Sequence, residues 1–223
     1  IGASKGSVKE ILNLKYIFKE PFIGKKENRF NRPESQVIVC GSTHQGEEKI
    51  LFDIYTELKK KREELSLIIS PRHLKRLDKV ENIIKRGNMK VKRWSQKNDR
   101  IRAGEIIVVD TMGELEKIYS LASVSFIGGT LVPAGGHNLM EAVIWKTPVV
   151  MGKYYSSFFQ MTEYFKESEA LLIVNTKKEL NDAFTKFLSD EKISENLGKE
   201  IYEKAVAKKE ETENVLENIF SLK

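Results

Sequence analysis

The stretch Ser125-Phe-Ile-Gly-Gly-Thr-Leu-Val-Pro-Ala-Gly-Gly-His-Asn-Leu-Met-Glu141 has the pattern of a buried strand, a glycine-rich turn and a helix start in immediate succession. Gly128, Gly129, Gly135 and Gly136 allow turns with positive φ and let a ligand approach the bare backbone. A helix that begins after such a turn presents unpaired N–H groups and the positive end of its dipole. The pattern therefore predicts a phosphate-binding loop, although a tight turn that binds nothing would show similar glycines.

Outside this stretch, short runs rich in β-branched residues alternate with amphipathic segments. The amphipathic segments carry apolar residues three or four positions apart, at Ile50, Leu51, Ile54 and Leu58 and again at Leu74, Leu77, Val80 and Ile84. We predict strands at 37–40, 67–70, 90–94, 106–110, 124–127, 149–151 and 171–174. This alternation predicts an α/β fold, a Rossmann-like doubly wound parallel sheet, whose ligands bind outside the carboxyl ends of its strands.

Three segments are predicted along the 223 residues. Residues 1–32 form a connecting arm or linker, 33–188 form the Rossmann-like domain, and 189–223 form one or two helices that pack on it. Gly198 is a candidate break between two such helices, with Leu197, Ile201, Ala205, Val215 and Ile219 as packing positions. Because the chain opens with Ile1 in what resembles a continuing segment, we expect it to be part of a longer protein.

Composition limits the classes of function. No apolar run reaches about 18 residues, so no spanning helix is predicted. The single cysteine, Cys40, excludes an internal disulfide and has the setting of a buried strand residue rather than a nucleophile. A net charge of +6 favours anionic partners. We expect no nucleic acid among them, because Lys92-Arg-Trp94 is the one basic-aromatic cluster and has the pattern of a strand end.

Polar loops follow the first two predicted strands. In Gly41-Ser-Thr-His-Gln-Gly-Glu47, either Ser42 or Thr43 could cap the next helix or bind a ligand. In Pro71-Arg-His73, a guanidinium at the sheet edge could form paired bonds to a phosphate or carboxylate, or could be an ordinary surface arginine.

Two further loops carry the spacing of a helix capping box, at Thr111 with Glu114 and at Asn138 with Glu141. A cap and a ligand site are compatible at the second pair. His44, His73 and His137 each follow a different strand, so a metal could gather them, but neither a carboxylate nor a second His stands at ligand spacing nearby. We find no catalytic triad and no Walker-type motif.

In order and spacing, four of these motifs resemble the carboxyl-terminal half of 3-deoxy-D-manno-octulosonic acid (Kdo) transferases of lipopolysaccharide synthesis. They are Gly41-Ser-Thr-His-Gln-Gly-Glu-Glu48, Pro71-Arg-His73, Asp110-Thr-Met-Gly-Glu114 and Phe126 to Glu141. The resemblance spans roughly 8–188. It implies the carboxyl-terminal domain of a GT-B glycosyltransferase, which binds the CMP-Kdo donor.

The resemblance also implies the site. Arg72 and the helix start at Gly135 to Asn138 are placed to hold the leaving phosphate, and Glu141 with the Met112-Gly-Glu114 turn suits ribose and cytidine. The full set of expected substrate contacts is Ser42, Thr43, Pro71, Arg72, Met112, Gly113, Glu114, Gly136, His137, Asn138, Leu139, Met140 and Glu141. Three positions depart from the family pattern: Leu12 replaces glycine, Ala134 replaces a basic residue that could contact phosphate or sugar, and Leu139 replaces proline.

The reaction implied by this resemblance is an inverting transfer of Kdo to a lipid A precursor, without cofactor or metal. The acceptor site, the general base and the membrane anchor would belong to the other half, so no catalytic residue is assigned in this chain. The full protein would work at the cytoplasmic face of the bacterial inner membrane, against an anionic surface. Two alternatives are a GT-B-type sugar-nucleotide 2-epimerase domain and a nucleotide-binding module with no activity of its own.

Overall fold

The computed structural model describes residues 16–18, 35–96 and 101–221. They form one seven-stranded sheet in the order β3-β4-β2-β1-β5-β6-β7, and every neighbouring pair is parallel. The strands are β1 (Val37–Thr43), β2 (Ser66–Pro71), β3 (Lys92–Arg93), β4 (Ile106–Val108), β5 (Val124–Ile127), β6 (Val149–Gly152) and β7 (Leu171–Val174). All seven predicted strands are present, although β3 is shorter than predicted because Trp94 begins a 3-10 turn.

Helices cover both faces of this sheet, as the doubly wound fold requires. They are α1 (Glu47–Lys59), α2 (Leu77–Arg86), α3 (Leu115–Ile118), α4 (Met140–Val143), α5 (Phe159–Phe165), α6 (Lys177–Ser189) and α7 (Glu191–Ser221). Successive strand residues point to opposite faces, so Ile38 and Cys40 of β1 pack with α1, α2 and α6, whereas Val37 and Val39 pack with α3, α4, α5 and α7.

The topology places a binding crevice at the end of β1. The chain runs from β1 outward through β2 to β3 and β4, then returns to place β5 on the other side of β1. This reversal is the switch point at which open α/β sheets bind ligands. Cys40 is fully buried in β1, where burial raises the pKa of its thiol. It is therefore the core residue that the sequence predicted.

The carboxyl-terminal helix corrects one prediction. α7 is continuous through Gly198, so the predicted break is wrong. A Cβ at Gly198 would lie 1.9 Å from the carbonyl oxygen of Lys146, which shows that glycine is needed for close packing of the helix on the domain. Ile201 and Ala205 are buried as expected, whereas Ile219 is exposed.

Most of the predicted arm at 1–32 lies outside the described residues, and its role stays a prediction. Across the ranges that the structure does describe, we find no helix with both the length and the apolar character needed to cross a membrane.

Candidate functional site at the carboxyl edge of the sheet

The end of β1 and the start of the loop after β5 are in direct backbone contact. Gly128 donates its N–H to the carbonyl oxygen of Gly41 at 2.8 Å. A Cβ at Gly128 would lie 2.2 Å from the carbonyl oxygen of Ser42, so a side chain cannot fit there. Ser42 itself has φ 52, a conformation that costs a non-glycine residue free energy. The structure thus holds Ser42, one of the residues predicted to contact substrate, in a strained conformation where β1 meets the glycine-rich loop.

Glu47 fixes the glycine-rich loop from the start of α1. Its buried carboxylate accepts N–H groups from Gly129 (2.8 Å), Thr130 (3.0 Å) and Leu131 (2.9 Å), and a fourth from His44 (2.8 Å). Burial raises the pKa of Glu47, and these backbone donors oppose the rise. The first amides of the loop are therefore occupied by a protein carboxylate and are not available to a ligand. Glu47 was not among the site residues predicted from the sequence.

The later amides of the loop lack a protein acceptor in the described ranges, and those of the half-buried His137 and Asn138 are the ones a ligand could reach, since Leu139 is fully buried. Within the described chain, the N–H groups of His137, Asn138 and Leu139 donate to no protein acceptor. The helix that follows, α4, spans only four residues, so its dipole adds less than the sequence suggested. The unpaired amides of this turn, rather than a helix dipole, are therefore the candidate anion contacts of this loop.

Asn138 and Glu141 do not form the predicted capping box. The Asn138 side chain accepts the N–H of Met140 at 3.1 Å, two residues ahead, and α4 has no side-chain cap. Leu139 and Met140 are buried in the core as whole residues, so the structure does not support the direct ligand contacts expected of them. Gly136 has φ 79 and packs on the backbone of Tyr155, a position that a side chain would crowd.

The three histidines meet in the crevice. The Nε2 atoms of His44 and His137 lie 2.9 Å apart in stacked rings, and the His73 ring centre is 6.0 Å from that of His44. Burial, with the charges of His44 and Arg72, lowers the pKa of His137 to about 4. The pair is therefore neutral at pH 7. In the described parts of the chain, no group of three or more His, Cys, Asp or Glu side chains is arranged to hold a metal.

Arg72 supplies the positive charge of the crevice. It is exposed, and its backbone N–H donates to the carbonyl oxygen of Thr43 at 3.0 Å. Among the described residues its guanidinium has no ion-pair or hydrogen-bond partner, yet its charge lowers the pKa values of His137 and Glu141. The guanidinium thus faces the histidines and Glu141 with its donors unused. Pro71, also predicted as a contact, is buried as the last residue of β2.

A buried ion pair supports the Arg72 loop from behind. Arg76 binds Glu48 through two bonds of 2.6 and 3.0 Å, and Glu48 also accepts the hydroxyl of Thr43 at 3.2 Å. The Thr43 side chain is fully buried in this network. It therefore faces inward, although the sequence placed it among the candidate ligand contacts.

Glu141 is a half-buried carboxyl with no bonding partner in the part of the chain that the structure describes. Burial and the charge of Glu116 raise the pKa of Glu141 to about 7, and Arg72 opposes the rise. The Tyr119 hydroxyl lies beneath the same crevice, since a Cβ at Gly41 would be 1.9 Å from its oxygen. An unsatisfied carboxyl beside a cation is a strong candidate for ligand recognition.

The loop after β4 completes the edge. Met112 is 70% exposed, and Gly113 has φ 79 with open space around it. The Thr111 hydroxyl donates to the Glu114 carboxylate, but α3 begins at Leu115 without a side-chain cap. The predicted capping box at this position is therefore wrong.

Comparison with known proteins decides the family. No family model matches the chain. In the solved structures, the carboxyl-terminal CMP-Kdo binding domain of WaaA from Acinetobacter baumannii is 30% identical, with 77% of this chain and 89% of that domain aligned at a TM-score of 0.71. The chain belongs to the Kdo transferase family. Its fold is accordingly that of the carboxyl-terminal domain of a GT-B glycosyltransferase.

Curated relatives agree with this assignment. The Haemophilus influenzae Kdo transferase is 31% identical over 173 residues, which are 77% of this chain and 40% of that protein. A bifunctional glycosyltransferase/methyltransferase of Fusobacterium nucleatum is 42% identical over 161 residues, 69% of this chain and 24% of that protein. The chain thus spans less than half the length of these relatives. TarM of S. aureus, 15% identical with a TM-score of 0.62, shares the fold alone.

Proposed function

We propose that this chain is the donor-binding half of a Kdo transferase, which binds CMP-Kdo while Kdo is transferred to a lipid A precursor. The observation that carries the proposal is the convergence of unpaired donors at one crevice. Arg72 and the amides of His137 and Asn138 have no protein acceptor among the described residues, and none of the three residues is buried. A phosphate is the ligand that such a set of charge and N–H dipoles suits best.

In this proposal the phosphate site also stabilises the transition state of the transfer. When the bond between Kdo and CMP breaks, negative charge grows on the phosphate oxygens. Fixed N–H dipoles and a guanidinium that need not reorganise stabilise that charge in the transition state. The neutral His44–His137 pair can add one N–H donor without adding a second positive charge.

In the same proposal, the nucleoside binds to Glu141 and to the Met112-Gly113-Glu114 turn. The Glu141 carboxylate can accept hydrogen bonds from ribose hydroxyls, which would give this half-buried group a bonding partner. Met112 offers an exposed apolar surface against which the cytosine ring can pack. Ser42, near the end of β1 and not buried, is the remaining candidate contact from the first loop.

The other half of the enzyme would supply the acceptor site and the general base. We therefore expect the isolated chain to bind nucleotide and to perform no transfer. Its net charge of +6 also suits the anionic membrane surface proposed for the full protein, at the cytoplasmic face of the bacterial inner membrane. These larger assignments follow from the family and belong to the whole protein.

A nucleotide panel tests the proposal. Thermal unfolding of this chain would be followed with CMP, UMP, UDP and AMP at matched concentrations. CMP at 100 times its dissociation constant should stabilise the chain by about 2.7 kcal/mol. Stabilisation by UDP that equals or exceeds that by CMP would overturn the CMP-sugar assignment and favour the epimerase alternative.

A further inference from the structure

A second recess adjoins the glycine-rich loop on the side of β6. It has a volume of about 310 Å³ and is lined by Pro133, Gly135, Lys153, Tyr154, Tyr155, Ser156 and Phe159. This volume is in the range of small-ligand sites. The recess follows the carboxyl end of β6, so it opens at the same sheet edge as the phosphate site.

Aromatic rings form one wall of this recess, which we call the β6 recess. The Tyr155 and Phe159 rings are stacked, 6.2 Å apart between centres and 15° from parallel. The Tyr155 hydroxyl donates to Glu163 at 3.0 Å, which fixes the ring. Phe159 is 56% exposed and Tyr154 is 37% exposed. Fixed, exposed aromatic faces of this kind mark a binding surface.

One cation stands at the β6 recess. The Lys153 Nζ lies 5.3 Å from the centre of the Tyr154 ring. Unlike Lys166, which binds Glu163 at 3.2 Å, Lys153 has no carboxylate partner in the described parts of the chain. The recess thus combines aromatic surface, a serine hydroxyl and one unpaired positive charge. That combination suits an acidic sugar.

The β6 recess and the phosphate site share one loop. Ser157 donates its N–H to the carbonyl oxygen of Gly135 at 3.0 Å, and Tyr154 donates its N–H to that of Thr130 at 3.0 Å. Gly135 lines the recess, and His137, two residues further along, begins the open amides. Two residues of backbone span at most about 7 Å. A ligand with a phosphate at those amides can therefore place an attached sugar in the recess.

We propose that the β6 recess binds the sugar of the donor, with Lys153 paired to the sugar carboxylate and the Tyr154 and Phe159 rings against its C–H face. This inference rests on the proposed function. In a ulosonic acid the carboxylate is attached to the anomeric carbon, beside the phosphate ester. The acid group must therefore lie close to the phosphate site, and Lys153 is the unpaired cation of the adjoining recess. Lys153 would then select acidic over neutral sugars.

The test compares three ligands by titration calorimetry: CMP, freshly prepared CMP-Kdo, and the methyl ester of CMP-Kdo. The ester lacks the negative charge of the sugar carboxylate and keeps that of the phosphate. Wild-type chain should bind the acid about 5- to 10-fold more tightly than the ester, as expected for an exposed charge-assisted bond. Lys153→Met should abolish this preference while its CMP affinity stays within about twofold. Phe159→Ala should weaken acid and ester alike and leave CMP unchanged.

Lys178→Met provides the matched control, since Lys178 is an exposed lysine on α6. It should retain the full preference for the acid. Three results would overturn the proposal. The first is that the wild-type chain binds acid and ester equally, the second is that the Lys153→Met chain keeps the preference for the acid, and the third is that its affinity for CMP falls as much as its affinity for CMP-Kdo. Failure of CMP itself to bind would instead overturn the donor assignment on which this inference rests.

Discussion

The Nε2 atoms of His44 and His137 are 2.9 Å apart, although 93 positions separate the two residues in the sequence. At that distance one nitrogen must carry the proton and the other must accept it, because two protonated nitrogens would repel. Burial keeps both rings in the neutral form by lowering both pKa values, that of His137 to about 4. The loops after β1 and β5 are therefore joined by a bond that depends on pH.

His137→Gln should reveal the pH dependence of that bond. Between about pH 4 and 6.5 the unfolded chain protonates this histidine and the folded chain does not, so the histidine makes stability rise with pH in this window. The full shift corresponds to about 3 kcal/mol, and solvent screening at this half-buried site reduces it to about 1 to 2. Urea titrations at several pH values should show that, as pH rises from about 4 to 6.5, the free energy of unfolding of the wild type increases by that amount relative to the variant. A constant difference would contradict the argument.

Glu141→Gln should stabilise the chain and weaken nucleotide binding. The folded pKa is about 7 and the ordinary value is 4.5, so ionisation of Glu141 costs stability as pH rises through this window. The variant should be more stable than wild type by about 2 to 3 kcal/mol above pH 7 and equal to it below pH 4.5. If the carboxyl binds ribose, CMP affinity should fall by about 1 kcal/mol or more.

Calorimetric titration of Glu141→Gln with CMP separates the effect of Glu141 on stability from a role in binding ribose. A stabilised variant with unaltered CMP affinity would remove Glu141 from the ligand site. Deoxycytidine monophosphate serves as a control ligand, because it lacks one ribose hydroxyl and should lose less affinity in the variant.

Arg72→Ala should weaken CMP more than cytidine. A charge-assisted bond to the phosphate is worth about 1.5 to 3 kcal/mol, or roughly 10- to 150-fold in the dissociation constant of CMP. Arg86→Ala, at an exposed arginine in the last turn of α2, is the matched control and should change neither ligand. Equal losses for nucleotide and nucleoside would show that Arg72 supports the fold rather than the phosphate.

Glu47→Gln should destabilise the chain. One carboxylate oxygen becomes an amide nitrogen, so two of the four backbone N–H groups lose their acceptor. We expect a loss of about 2 to 4 kcal/mol in urea unfolding. Glu57→Gln, at a 52% exposed residue of α1, should stay within about 0.5 kcal/mol of wild type. Similar stabilities for the two variants would contradict the role assigned to Glu47.

Gly198→Ala should destabilise α7 although alanine is the better helix former. Propensity alone predicts a gain of about 1 kcal/mol, but the new Cβ would meet the Lys146 carbonyl at 1.9 Å. We expect a net loss of about 1 to 3 kcal/mol. Ala207→Gly, at an exposed position of the same helix, measures the propensity term separately. A gain in melting temperature for Gly198→Ala would show that the helix can move away.

The fold was open to prediction because local patterns decide it. Each strand is a short apolar run, and the helices on both faces follow from their spacing of apolar residues. The limits of β1 and the continuity of α7 were not open to prediction in this way. Ser42, which has a positive φ, packs against the backbone of Gly128, and Gly198 packs against the backbone of Lys146. Both contacts are between residues that are distant in the sequence.

The candidate site was predicted in part. Arg72 and the amides after Gly136 could be anticipated because they follow strands of a parallel sheet. The capping boxes at Thr111 and Asn138 were wrong because spacing alone does not show which atoms meet. The acceptor of the first glycine-loop amides, Glu47, was not predicted, because it lies 82 to 84 positions away in the sequence.

The bonds from Glu47 to the loop after β5 also determine which segments must be transferred together if this site is moved into another enzyme. A graft of the glycine-rich loop into another GT-B scaffold would carry three N–H groups shaped around a carboxylate that the host must provide. The loop and the first turn of α1 are therefore one transferable part, although they are far apart in the gene. Recombination that separates them would leave the loop without its template.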